Sequence, residues 1–188
     1  MNFTPFNDAE FTRLDNGYLL KAKPASDLVV DPQSGTVTSN AVYLAEEVTG
    51  DFTFSAKVSH EFLSTYDACC LLAYSNDTLW SKACFECTEE GESAVVTVMT
   101  NGRSDDANSV RIAGKTVWLQ MCRSGQTISV QYSEDGGNWV FVRILSTALP
   151  LTVRLGILAQ SPVGEGGSFR FEDIRFINKA PANMRFGR

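Results

Sequence analysis

Apolar and polar residues trade places at every second position through much of this chain, a rhythm that admits strands and little else. It is clearest from Asp51 onward, where Phe52, Phe54, Ala56, Val58 and His60 alternate with Thr53, Ser55, Lys57, Ser59 and Glu61. Successive side chains of a strand point to opposite faces, so this period describes a half-buried strand. Comparable stretches fall at residues 18–22, 41–48, 79–87, 93–100, 117–122, 127–133, 139–145, 153–160 and 169–177, and residues 68–74 are apolar enough to be covered on both faces. Turn clusters separate them: Asp31-Pro32-Gln33-Ser34-Gly35, Glu89-Glu90-Gly91-Glu92 and Asp135-Gly136-Gly137. No stretch keeps a helical period over about 11 residues. Short strands with turns every ~8–12 residues predict an all-β, two-sheet antiparallel sandwich or a barrel.

The chain's 188 residues suffice for one two-layer core, so a single domain is expected over 1–178. Residues 1–16 are read as an extension that Phe3, Phe6 and Phe11 pin to it, either as a short helix or as an extended edge. Residues 179–188 have few apolar groups and are expected to fray.

A net charge of −6 excludes nucleic acid and anionic membrane surfaces as main partners, since both require clustered Lys and Arg. No apolar run reaches the ~18 residues of a membrane span. The first residues lack the pattern of a signal peptide. Five cysteines, an odd number, then favour reduced thiols and a cytoplasmic location.

Residues 79–87 hold the most informative strand. Alternation places Trp80, Lys82, Cys84 and Glu86 on one face and Leu79, Ala83, Phe85 and Cys87 on the other. The second set is core-like. The first keeps an indole, an amine and an acid together on a surface, as the lining of a groove requires.

Several motifs in a fixed order make the chain similar to a known family. They are Asp31-Pro32 to Ala41, Gly50-Asp51-Phe52-Thr53, Ser64-Thr65-Tyr66-Asp67-Ala68, Lys82-Ala83-Cys84-Phe85-Glu86 and Thr100-Asn101-Gly102-Arg103-Ser104-Asp105-Asp106. They continue with Val117-Trp118-Leu119, Tyr132-Ser133 to Trp139, and Ala159-Gln160-Ser161-Pro162-Val163-Gly164-Glu165-Gly166. Over residues 17–177 the chain resembles a family of unknown function in the concanavalin A-like lectin/glucanase superfamily, also described as regulation-of-enolase-like. The resemblance implies a jelly-roll-like sandwich whose concave inner sheet presents a groove, where relatives bind or cleave glycans. Fold likeness does not carry the chemistry across.

Glu86 is the candidate catalytic or binding acid. Glycoside hydrolysis takes two carboxylates, about 5–5.5 Å apart for retention or ~6.5–9.5 Å for inversion. Glucanase relatives place theirs as Glu-x-Asp-x-x-Glu or Glu-x-Asp-x-Glu on one strand. Here Glu86-Cys87-Thr88-Glu89-Glu90 lacks the Asp, and Glu89 has the wrong parity, which argues against that type of hydrolase. A second carboxylate would have to come from Asp67, Asp105, Asp106 or Glu165. The plainer alternative is a solvated ion pair for Glu86. Lys82 and Glu86 lie ~13 Å apart along the backbone, so they are better placed to clasp a ligand than each other.

Tyr66, Asp67, Asn101, Ser104, Asp105, Asp106, Gln160 and Glu165 supply the donors and acceptors of a polar-ligand site; turn chemistry explains the same residues. Trp80 and Trp118 are candidate platforms for stacking on a sugar, with core filling as the alternative. Trp139 and the Ser133-x-Asp135-x-Gly137 turn read as hairpin structure. Metal sites are not expected. Cys84 and Cys87 point to opposite faces of their strand, Cys69 and Cys70 likewise, and one histidine, His60, is too few for a structural zinc site. A cation held by Asn101, Asp105, Asp106 and Asn108 stays open, although the spacing is not that of an EF-hand. No Ser-His-Asp arrangement or phosphate loop is legible. The sequence therefore predicts a module without a cofactor that binds a carbohydrate or small polar ligand. The alternatives are a glycoside hydrolase-like enzyme acting through Glu86 and a non-catalytic protein-interaction module. Oligomeric state stays open.

Overall fold

The computed structural model describes residues 1–188 and contains strands and turns without a helix. The chain opens with β1 (Thr4–Phe6), β2 (Glu10–Leu14) and β3 (Gly17–Ala22). A short hairpin, β4 (Leu28–Val30) and β5 (Val37–Ser39), precedes β6 (Val42–Thr49) and β7 (Phe52–Ser59). A meander follows: β8 (Ala68–Asn76), β9 (Leu79–Cys87), β10 (Ser93–Asn101) and β11 (Ser104–Arg111). The last strands are β12 (Thr116–Ser124), β13 (Thr127–Ser133), β14 (Val140–Ser146), β15 (Thr152–Gln160) and β16 (Gly167–Ile177).

Two seven-stranded antiparallel sheets result. The first has the order β1-β6-β15-β8-β9-β10-β11 and the second β14-β13-β12-β7-β16-β3-β2, with the β4–β5 hairpin apart. This is the all-β sandwich that the alternation predicts, in the jelly-roll-like form that the resemblance implies. In β7, Phe52, Phe54, Ala56 and Val58 are fully buried between the sheets, while Thr53, Lys57 and Ser59 are partly exposed. From the facing sheet, Phe85, Leu71 and Leu155 complete the core with Phe169 and Phe171 of β16.

The first sheet is apolar on both faces. Its outer face carries a second cluster that includes Cys70, Leu72 and Tyr74 of β8, Trp80 and Cys84 of β9, and Val96 and Val98 of β10. Leu28 and Ala41, from either side of the β4–β5 hairpin, belong to the same cluster. The hairpin is tied down by polar contacts: the Val30 amide donates to Ser104 Oγ at 2.9 Å, and Arg103 donates to the carbonyls of Asp31 and Pro32. It covers part of this face and leaves the rest open.

Three expectations need correction or refinement. The N-terminal extension is extended rather than helical. Its β1 pairs with β6 of the first sheet and its β2 with β3 of the second, with Asn7 and Asp8 at positive φ between them. The polar run 101–106 is not a loop. Gly102 and Arg103 make a tight turn, and Ser104 begins edge strand β11, whose polar composition hides it from a search for alternating apolar residues. The tail lies against the second sheet: Gln120 and Gln131 donate to the carbonyls of Gly187 and Met184 at 2.9 and 2.6 Å, and Thr53 donates to that of Lys179. Backbone carbonyls, which composition does not register, hold it to the second sheet.

Candidate functional site

Strand β9 runs between β8 and β10 near the middle of the first sheet, and its parity is as alternation requires. Ala83 and Phe85 point into the inter-sheet core; Trp80, Lys82, Cys84 and Glu86 point out. Where the β4–β5 hairpin stops, a cavity of about 330 Å³ opens over this outer face. That is the lower range of small-molecule sites. Val96 and Val98 give it an apolar wall, and Lys82, Glu86, Gln160, Tyr66, Ser104 and Asp106 surround that wall with polar groups.

Lys82 is nearly buried and fully engaged. Its Nζ donates to the Leu28 carbonyl and to Gln160 Oε1, both at 2.8 Å, and lies 3.6 Å from Asp27 Oδ1. Burial, the largest single influence, lowers the basicity of the ammonium, but Asp27 together with Cys84, Cys70 and Glu86 more than reverses this, and the net direction is upward. Gln160, at the end of β15, turns its Nε2 toward the Tyr66 carbonyl at 3.4 Å. Tyr66 sits at φ +66° and donates its hydroxyl to Glu89 Oε1 at 3.1 Å. Ser104 Oγ lies 2.8 Å from Thr100 Oγ1 besides accepting from Val30.

Glu86 is different. Its residue is 8% exposed, it lines the cavity, and no group donates to its carboxyl. Burial pushes its pKa up to about 8, opposed by Lys82 and reinforced by Asp27, Glu89 and Asp106. At neutral pH it therefore holds its proton and can donate a hydrogen bond as well as accept one.

The structure thus gathers Lys82, Glu86, Tyr66, Gln160, Ser104 and Asp106 around one cavity and places the other candidates elsewhere. Trp80 is fully buried under the hairpin side of the outer face, its Nε1 donating to the Asp77 carbonyl, so it offers no stacking surface. Trp118 belongs to the other sheet, where Lys57 lies 5.1 Å from its ring centroid and Gly136 packs against it. Strand parity cannot tell which sheet a strand joins, and that is the origin of the error. Asp67 is buried and structural: it accepts from Ser161 Oγ at 2.6 Å and from the amides of Leu63 and Ser64. Asp105, on the inward parity of β11, pairs with Arg143 at 3.2 Å. Asn101 is the exposed last residue of β10. Glu165 lines a separate depression with Glu10 and Lys21.

Eight lining residues are not among the ligand-site candidates of the sequence. Asp27, Val29, Asp31 and Pro32 arrive with the hairpin, whose docking has no local signal; Glu89 follows β9; Val96, Val98 and Asn108, the last read only as a possible cation ligand, follow by parity once β10 and β11 are placed. No group of three or more His, Cys, Asp or Glu side chains could hold a metal. His60, 5% exposed, stacks on Phe169 at 3.7 Å and accepts from the Phe62 amide, a satisfied core residue. The Asp135 turn is hairpin structure: its carboxylate accepts from the amides of Gly137 and Asn138.

Solved structures share the architecture. A functionally unknown protein from Saccharomyces cerevisiae superposes with a TM-score of 0.87 at 23% identity, over 96% of this chain and 97% of that one. The GH43 protein BlXynB from Bacillus licheniformis gives 0.71 at 16% identity over 90% of this chain but 34% of its own, so this chain matches about a third of that protein. The carbohydrate binding module CBM66 from Bacillus subtilis gives 0.58 at 10% identity, over 93% and 94% of the two chains. At these identities the likeness shows the fold alone. No curated protein matches the sequence. One family match spans residues 6–179, nearly the whole sandwich, and the chain belongs to that family, described as "Protein of unknown function (DUF1349)".

Proposed function

We propose that this protein is a binding module for a carbohydrate or similar small polyhydroxylated ligand, held in the cavity on the outer face of the first sheet. The observation that carries this is Glu86: a carboxyl buried at a cavity wall, with no donor of its own, leaves free exchangeable hydrogen-bonding capacity where a ligand can use it. Burial raises the pKa of this carboxyl, a sign of partial desolvation, and a hydroxyl-rich ligand would supply the hydrogen-bond partners it lacks. The apolar strip of Val96 and Val98 suits the C–H face of a sugar ring, and Tyr66, Ser104 and Asp106 border it. CBM66 is a carbohydrate binding module of the same fold, which supports the ligand class. Five buried, unpaired cysteines support a cytoplasmic, reducing setting.

The test is a panel of oligosaccharides titrated by calorimetry against the wild-type protein and a Val98→Phe variant that fills the cavity. Binding that falls roughly tenfold or more in the variant, with melting temperature kept, is expected. Equal binding by both proteins moves the ligand away from this cavity.

One observation favours a second reading, glycoside hydrolysis. A carboxyl still protonated near neutral pH, beside Asp106 and Glu89, has the form of a general acid with carboxylates close by. On that reading Glu86→Gln would abolish hydrolysis of unactivated oligosaccharides, whose leaving oxygen needs the acid's proton; no hydrolysis by the wild-type protein excludes it.

A further inference from the structure

The chemistry of the cavity is lopsided in charge. Lys82 is the one cation among its lining residues, and its ammonium is already engaged by Leu28, Gln160 and Asp27. Facing it are the carboxyls of Glu86, Glu89 and Asp106, none of which forms an ion pair. Glu89 accepts only from the Tyr66 hydroxyl, and Glu86 from nothing. The arginines nearest the cavity are occupied elsewhere: Arg111 with Glu90 and Glu92, and Arg103 with the carbonyls of Asp31 and Pro32. These carboxyls are not arranged to hold a metal ion. An organic cation of larger reach fits them better. An ammonium presents three donors and one positive charge, which a cavity lined by three carboxyls without an ion-pair partner can accept.

Building on the ligand-binding reading, we infer that the cavity selects a polyhydroxylated ligand bearing a protonated amine, an amino sugar, with the ammonium set among Glu86, Glu89 and Asp106. An arriving cation favours the ionised form of Glu86, so binding expels a proton below the pKa of about 8 that this carboxyl has in the free protein. The groups that face Glu86 and shape that titration are Lys82 and Cys84 on its own strand, Asp27 from the segment before β4, Glu89 after β9, Asp106 on β11, and Tyr66. Among them only Lys82 is cationic, and it is held in place by partners other than Glu86.

Three β-1,4-linked trimers differing only at C2 test the idea: the amine (glucosamine), the N-acetyl form and the hydroxyl form (cellotriose), with spermidine as an amine without a sugar. Calorimetry at about pH 6.5, in two buffers of different ionisation heat, reads affinity and proton release together. The amine trimer is expected to bind roughly tenfold tighter than either neutral trimer, with net proton release. The double variant Glu89→Gln, Asp106→Asn should bring the three trimers together, and Glu86→Gln should abolish the proton release while leaving the melting curve cooperative. Equal binding of all three trimers by the wild-type protein overturns the amine preference and leaves the carbohydrate reading standing. Spermidine binding as tightly as the amine trimer overturns the carbohydrate part and keeps the amine part. If no probe binds, both fail.

Discussion

Single residues of the cavity wall make opposite contributions to stability, and Glu86 and Lys82 show how. Lys82 stabilises because its ammonium satisfies a carbonyl, an amide oxygen and a carboxylate at once. Lys82→Met would leave the Asp27 carboxylate and two acceptors without their donor, and should cost roughly 3 kcal/mol in urea unfolding. Glu86 behaves the other way: its pKa of about 8 in the folded state lies above the usual carboxylate value of 4.5 in the unfolded chain. Between those values the native state binds the extra proton, so stability from this group is complete below the lower value and is lost as pH rises through the upper one. Glu86→Gln should therefore be more stable than wild type above the upper value, by a few kcal/mol, while the two differ little in acid. Urea midpoints measured at both ends check this. The parity of Lys82 and Glu86 is readable from alternation along a single strand. That Glu86 lacks a donor is not, because this depends on what five other segments bring to the same place.

Elements differ in how much of their role the chain discloses. Strand β7 announces itself through its phenylalanines, and β8 through an apolar run that the structure covers on both faces. Strand β11 does not: an edge strand needs charge rather than apolar periodicity, and its Asp and Asn residues suit that exposed place. The β4–β5 hairpin is the clearest case of an element whose importance lies in its docking. Leu28 seals the cluster that holds Trp80, and the position of the hairpin decides which part of the sheet stays open. Trp80→Ala should cost about 3–5 kcal/mol through the space left behind. Removing the less buried indole of Trp118 should cost less, and urea melts of the two variants rank them. Strand β15 is intolerant of side chains at one point: a Cβ on Gly156 would stand 1.9 Å from the Leu44 carbonyl oxygen of neighbouring β6. Gly156→Ala is expected to destabilise by roughly 2–3 kcal/mol or to prevent folding.

At the scale of the molecule, two buried titrations oppose each other. Burial lowers His60 from 6.5 to about 4, against the pull of Asp67 and Glu61. The unfolded chain thus takes up this proton first, and stability from His60 is complete above 6.5 and lost as pH falls toward 4. Glu86 slopes the other way from 4.5 to about 8. The two offset one another between about 4.5 and 6.5, so thermal stability should be nearly flat there and decline from 6.5 toward 8. A Glu86→Gln melting series across this range should lose the alkaline decline and uncover an acid one, from 6.5 downward, that Glu86 offsets in the wild type. The architecture itself is written plainly in the alternation of the chain. Which sheet each strand joins is not, and this is why Trp118 was expected beside Glu86 and lies across the sandwich from it.

The first sheet is screened by the second sheet on one face and, in part, by the hairpin cluster on the other. The backbone amides of β8 and β9 lie at its middle, away from either edge. In deuterated solvent they should be the last to exchange, trailing the amides of β11 and β2 at the margins. The wall that carries Glu86 is then the slowest-breathing part of the protein, a rigid seat against which a visitor settles without remoulding it.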